Sequence, residues 1–127
     1  MPLVRIDLPE SIDANTARKA GETVHKAMTE VINVPHGDKF QVITRHPSDA
    51  RNLTSEYLGI RYSEKLVLIQ ITLNQGRTVE QKKTLYRRVT DDLAEIGLRR
   101  EDVVVNLVEV PKENWSFGNG EMPYGPP

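Results

Sequence analysis

Residues 32–43, INVPHGDKFQVI, have a counterpart sixty-four positions later in residues 96–107, IGLRREDVVVNL. Ile32 aligns with Ile96, Asn33 with Gly97, Val34 with Leu98 and Asp38 with Asp102. The shared chemistry is a helix stop, an apolar staple and an acidic residue entering a strand. A chain that repeats a helix-to-strand junction reads as one unit used twice.

The elements around each junction agree in order. LVRIDL (3–8) alternates as a short strand does. Asp13 is placed as an N-cap, and Ala17, Ala20, Val24, Ala27, Met28 and Val31 follow at helical spacing until Asn33 and Pro35 end the helix. KFQVITRH (39–46) is the second strand. In the second unit, KLVLIQITL (65–73) is an apolar run that reads as a central strand buried on both faces. Thr78 and Gln81 form a capping box, and Leu85, Tyr86, Val89, Leu93 and Ile96 make the apolar stripe before Gly97. VVVNLVEV (103–110) closes the unit.

A β-α-β crossover joins parallel strands with right-handed connection. The expected fold is therefore α/β: two β-α-β units forming a four-stranded sheet, parallel within each unit, with both helices on one face. The chain divides into a single domain of two fused halves, about 2–60 and 61–110, and a tail over 111–127. The second sheet face is left bare, and burying it against other copies around a symmetry axis is the expected remedy.

Composition removes several function classes. Among 127 residues, seventeen basic and eighteen acidic side chains leave a net charge of −1, which lacks the basic excess of a nucleic-acid binder. No run approaches the length of a membrane span, and the start carries no apolar signal region. With no cysteine, thiol catalysis and thiolate metal sites are excluded, and a cytoplasmic location is expected. His25, His36 and His46 show no metal-ligand spacing, and His25 lies mid-helix among polar neighbours. No metal and no cofactor are expected.

Four places carry candidate chemistry. Pro2 directly follows Met1. Trimming of Met1 would give it a free secondary amine, able to act as base, acid or nucleophile; otherwise it is a strand-starting proline. Arg77 follows Gly76 in the turn LNQGRTVEQ (73–81), just before a helix N-terminus. There it reads either as a clamp for a substrate carboxylate or as a solvated turn residue. Gln75 is a second substrate-contacting candidate in that turn. Asp38 reads as a carboxylate that positions water or polarises a carbonyl partner, or as a turn aspartate bonding its own backbone. The tail PKENWSFGNGEMPYGPP carries Trp115, Phe117 and Tyr124, too aromatic for a disordered end. Trp115 and Phe117, two apart, share a face of an extended segment and either plug a subunit interface or wall a pocket.

Together these stretches resemble the tautomerase superfamily, and within it the malonate semialdehyde decarboxylase branch. The resemblance rests on MPLVRIDL at the start, VPHGDKFQVITRHP (34–47), ITLNQGRTVEQKKTLYRRV (71–89) and ENWSFGNGE (113–121), and runs over nearly the whole chain. It implies a homotrimer in which Pro2, freed of Met1, is catalytic on a small oxo acid. It further implies that Asp38 assists decarboxylation, that Arg77 binds the substrate carboxylate and that Trp115 and Phe117 form the apolar wall. One departure stands out. The decarboxylases carry a second arginine shortly before the one matching Arg77, where this chain has Asn74 and Gln75. Either that clamp is missing, or it is supplied from elsewhere, with Arg45 and Arg61 as the candidates. A related branch acting on 3-haloacrylates relies on the same arginine pair.

An unperturbed α-amino group titrates at about 7.7–8.0, and a secondary amine higher. Desolvation by Trp115 and Phe117, and the charge of Arg77, would both disfavour the ammonium form. A proline base suits enol–keto tautomerisation, a protonated proline suits carbonyl polarisation or hydration, and iminium formation is a third route. A non-catalytic trimer that binds a small carboxylate, and a trimer whose tail only seals an interface, are the readings outside catalysis.

Overall fold

The computed structural model describes residues 2–126. The expectation that Met1 is removed concerns a residue outside that range, as does Pro127 at the end of the tail.

The order is β1 (Leu3–Pro9), α1 (Ala14–Val31), β2 (Phe40–His46), β3 (Glu56–Tyr57), β4 (Ile60–Arg61), β5 (Val67–Asn74), α2 (Val79–Glu95) and β6 (Val103–Val110). The main sheet has the order β2-β1-β5-β6. β1 runs parallel to β2 and β5 parallel to β6, while β1 and β5 meet antiparallel at the centre. This is the expected α/β architecture of two β-α-β units. β3 and β4 form a small hairpin that sequence reading missed, turning through Leu58 and Gly59, both at positive φ.

The helices start and stop where local chemistry directs. Asp13 accepts the Thr16 N–H at 2.7 Å and opens α1. Thr78 and Gln81 exchange the two bonds of a capping box, at 2.8 and 3.1 Å, and open α2. Beyond each helix the chain turns through a residue at positive φ, Asn33 at 59° and Gly97 at 96°, the pair aligned in the repeat. Glycine adopts this conformation freely, and asparagine is one of the few other residues that tolerate it.

One face of the sheet makes the core. Val4, Ile6 and Leu8 of β1 and Val67, Ile69, Ile71 and Leu73 of β5 are buried against Ala20, Val24 and Met28 of α1 and Leu85, Val89 and Leu93 of α2. The expectation that the 65–73 strand is buried on both faces is corrected here. β5 is central, but its other face carries Gln70 exposed and Leu68, Thr72 and Asn74 half-buried, because both helices pack on a single side. On that open face Leu3, Phe40, Val42 and Val108 are 37–47% exposed. Leu3 lies in register with Phe40 on one side and Thr72 on the other, and Thr72 with Val108, so one row crosses the sheet.

Candidate active site

Strand polarity brings distant residues to one edge. β1 and β2 start there because they are parallel, and β5 and β6 end there because β5 is antiparallel to β1. The Leu3–Thr72 and Leu3–Phe40 registers therefore set Pro2 beside the end of β5 and the residues just before β2. Pro2 is buried. Asp38 arrives from the α1–β2 loop, Asn74, Gln75 and Arg77 from the β5–α2 turn, and the tail from the end of β6.

Arg77 is half-buried, and its guanidinium spans two backbone carbonyls. One terminal nitrogen donates to Asn74 O at 3.2 Å and the other to Ile32 O, at the end of α1, at 3.1 Å. These two bonds use two of its five N–H groups and fix the plane of the fork. Gly76 sits at φ 124°, a conformation available to glycine but strained for other residues. Gln75 is exposed, and its backbone N–H donates to Val110 O at 3.0 Å, tying the turn to the end of β6. Glu109 lies close to the same turn. The Lys82 ammonium, bonded to it at 2.5 Å, holds its carboxyl below the usual carboxylate range, and Gly76 N–H and Arg77 add to this.

Asp38 is half-buried, and its backbone N–H closes a turn onto Pro35 O at 3.0 Å. Its sequence match Asp102 is more deeply buried. Asp102 is buried and accepts the backbone N–H and hydroxyl of Ser63, at 2.8 and 2.5 Å. Both aspartates close the same kind of backbone turn, Asp102 N–H onto Arg99 O at 3.0 Å, and they differ in burial.

The tail folds back over this edge. The Trp115 indole donates to Asn74 Oδ1 at 2.7 Å. Trp115 and Phe117 stack at 5.5 Å between ring centroids, and Phe117 stacks in turn on Phe40 at 6.1 Å and meets Tyr124 edge-on at 6.0 Å. Sequence reasoning did not place Phe40 or Tyr124 with the candidate site. The position of Phe40 opposite Leu3, one residue from Pro2, becomes visible only with the strand register.

Neither candidate for the second arginine lies at this edge within the chain. Arg45 donates to Ile12 O and Glu10 O, at 2.7 and 2.6 Å, near the far end of β2. Arg61 is exposed in the β3–β4 hairpin. A cavity of about 630 Å3 also opens at that far end, lined by Pro9, His46, Arg51, Tyr62 and Leu66 among others. It is separated from Pro2 by the length of β1. His25, expected among polar neighbours, is 5% exposed on the inner side of α1.

Residues 38–118 match the family described as tautomerase enzyme. "Probable tautomerase YusQ" of Bacillus subtilis (strain 168) is 40% identical over 121 residues, which is 94% of this chain and 95% of that one. The chain belongs to the tautomerase superfamily. Within the tautomerases it falls in the branch that resembles malonate semialdehyde decarboxylase. The crystal structure of FG41 malonate semialdehyde decarboxylase, inhibited by 3-bromopropiolate, superposes with a TM-score of 0.90 at 34% identity, covering 96% of this chain and 93% of that one. The tautomerase fold extends to fused 4-OT, solved as a symmetric trimer, with a TM-score of 0.77 at 21% identity over 94% of both chains. Among the described residues no helix is long and apolar enough to cross a membrane.

Proposed function

We propose that this tautomerase-superfamily enzyme acts without a cofactor on a small oxo acid, with Pro2 as the group that moves the proton. One observation carries the reading: strand polarity and register gather Pro2, Asp38, Arg77 and the Trp115–Phe117 wall at one sheet edge from four separate parts of the chain. Arg77, already fixed in plane by two carbonyls, offers its remaining N–H groups to the substrate carboxylate. The aromatic wall excludes water and keeps the amine of a trimmed Pro2 available as a base.

In tautomerisation, Pro2 nitrogen takes the enol hydroxyl proton, the electron pair forms the carbonyl, and the proton is delivered to the carbon. In decarboxylation of a 3-oxo acid, the C–C bond to the carboxylate breaks, its electrons move into the polarised carbonyl to form an enolate, and carbon dioxide leaves. Protonation of the enolate carbon completes that reaction. Asp38 orients water or the substrate carbonyl in either case. The bare sheet face, with Leu3, Phe40, Val42 and Val108 exposed, supports assembly as a homotrimer.

A second reading, a trimer that binds a small carboxylate without turnover, draws on the neutral Asn74 and Gln75, which occupy the stretch just before Arg77 where the decarboxylases carry a second arginine. A dehalogenase acting on 3-haloacrylates faces the same shortage of positive charge. The test begins with intact mass, which must show loss of Met1. Malonate semialdehyde, the enol of a 2-oxo acid and 3-chloroacrylate are then offered to wild type and Pro2→Ala. Turnover abolished in a folded Pro2→Ala trimer supports the proposal, and turnover that survives it refutes the role of proline. Ligand protection with no turnover of any of the three selects the binding reading.

A further inference from the structure

We propose that His25 is a positioning residue for Asp38, acting through the backbone carbonyl of His36; the inference rests on the reading of Asp38 as part of the active site. His25 Nε2 lies 2.8 Å from His36 O. A carbonyl only accepts, so Nε2 carries the proton and donates it. Nδ1 is then the bare acceptor, and it is buried without a hydrogen-bond partner. A buried acceptor left unmatched is unfavourable. For stability alone, an apolar side chain of similar size would serve better at this place on α1. The histidine supplies instead a donor that crosses from the helix to the loop.

What that donor holds is the segment between α1 and β2. The loop leaves α1 through Asn33 at positive φ, with Val34 N–H bonded to Met28 O at 3.2 Å. It then turns at Pro35, whose carbonyl accepts Asp38 N–H at 3.0 Å. His36, on this turn, is the point pinned by His25, and its ring lies 5.9 Å from that of His25. An open cavity of about 400 Å3 is lined by Glu22, His25, Lys26 and Thr29 of α1 and by His36 and Lys39 of the loop. Val34 holds the start of the loop in the core; beyond it the bond from His25 ties His36 to α1, and Asp38 lies two residues further on.

The test uses the full chain with Met1 removed, in four forms: His25→Phe, His25→Gln, Asp38→Asn and the His25→Phe/Asp38→Asn pair. Phenylalanine keeps the ring and removes the donor; glutamine restores an N–H donor. With the oxo acid that wild type turns over, His25→Phe is expected to lower kcat about tenfold or more with KM changed less than about threefold, as misplacement of a reacting group does. Glutamine is expected to recover most of the loss. In the Asp38→Asn background, His25→Phe is expected to change nothing further, because one residue acts through the other. Losses that multiply overturn the inference, as does an unchanged kcat in His25→Phe beside an inactive Asp38→Asn. Full turnover in Asp38→Asn overturns the reading of Asp38 itself and the inference with it. Hydrogen exchange at the Asp38 amide needs no substrate. Protection is expected to fall about tenfold in His25→Phe and to return in His25→Gln, and equal protection in all forms overturns the pinning.

Discussion

Trp115 donates its indole N–H to Asn74 Oδ1 at 2.7 Å, joining the C-terminal tail to the last residue of a central strand. This bond anchors the Trp115–Phe117 stack to the strand end that leads into the Arg77 turn. Asn74→Ala leaves the half-buried indole donor unmatched, a loss of about 1–3 kcal/mol for a buried group. Trp115 is the only tryptophan, so its fluorescence reports directly on the tail. A red shift and a raised KM are expected for Asn74→Ala, and no red shift for Asn74→Asp, which keeps the acceptor. An unshifted spectrum in Asn74→Ala would show that stacking on Phe117 alone holds the tail.

Arg77 binds Ile32 O and Asn74 O with two arms of one planar group. Lysine keeps the charge but presents a point donor that cannot span both carbonyls in one plane. Arg77→Lys is expected to raise KM for a carboxylate substrate by about tenfold and to lower Tm, since the end of α1 loses its tie to the turn. Steady-state kinetics and a thermal melt on the same sample check both parts.

Gly21 lies in the middle of α1, where alanine ordinarily stabilises a helix by about 1 kcal/mol. Much of that gain is expected to be lost here. A Cβ at this position would meet Gln41 Oε1 and Ile43 Cδ1, each at 2.7 Å, so the ends of both side chains must shift, and Gln41 also donates to Gly21 O at 2.8 Å. Gly21→Ala should leave the urea midpoint close to that of wild type, and a midpoint raised by the full helix gain would mean that both side chains move at no cost.

Asp13 caps α1, and the backbone N–H of Thr16, then its side-chain hydroxyl, hold the Asp13 carboxyl below its ordinary value of 3.8. A carboxyl depressed in the folded state contributes stability at pH values above 3.8 and loses it as pH falls through the lower, folded-state value. Wild type should therefore exceed Asp13→Ala in Tm at pH 7, with the gap closing in strong acid. Asp13→Asn keeps a capping oxygen that does not titrate, so its difference from Asp13→Ala should persist further into acid. Parallel melts across this range decide it.

The two helices and the four strands of the main sheet were legible in the sequence because local chemistry sets them, whereas the short β3–β4 hairpin was not. The Asp13 cap, the Thr78–Gln81 box and the Asn33 and Gly97 stops act over three or four residues, so spacing alone revealed them. Which strands pair and in which direction depends on contacts between distant residues, and no local signal carries that. The antiparallel meeting of β1 and β5 therefore came only from the tertiary structure, and with it the edge where Pro2, Asp38 and Arg77 converge. The same holds for the open face of β5, whose apolar letters read as buried on both sides although the two helices cover one. Phe40 and Asn74 were plain letters in the sequence, since their roles arise from Phe117 and Trp115, which the folded tail alone brings to them. His25 read only as a mid-helix residue among polar neighbours because its partner, a backbone carbonyl eleven residues on, has no side-chain signature to read.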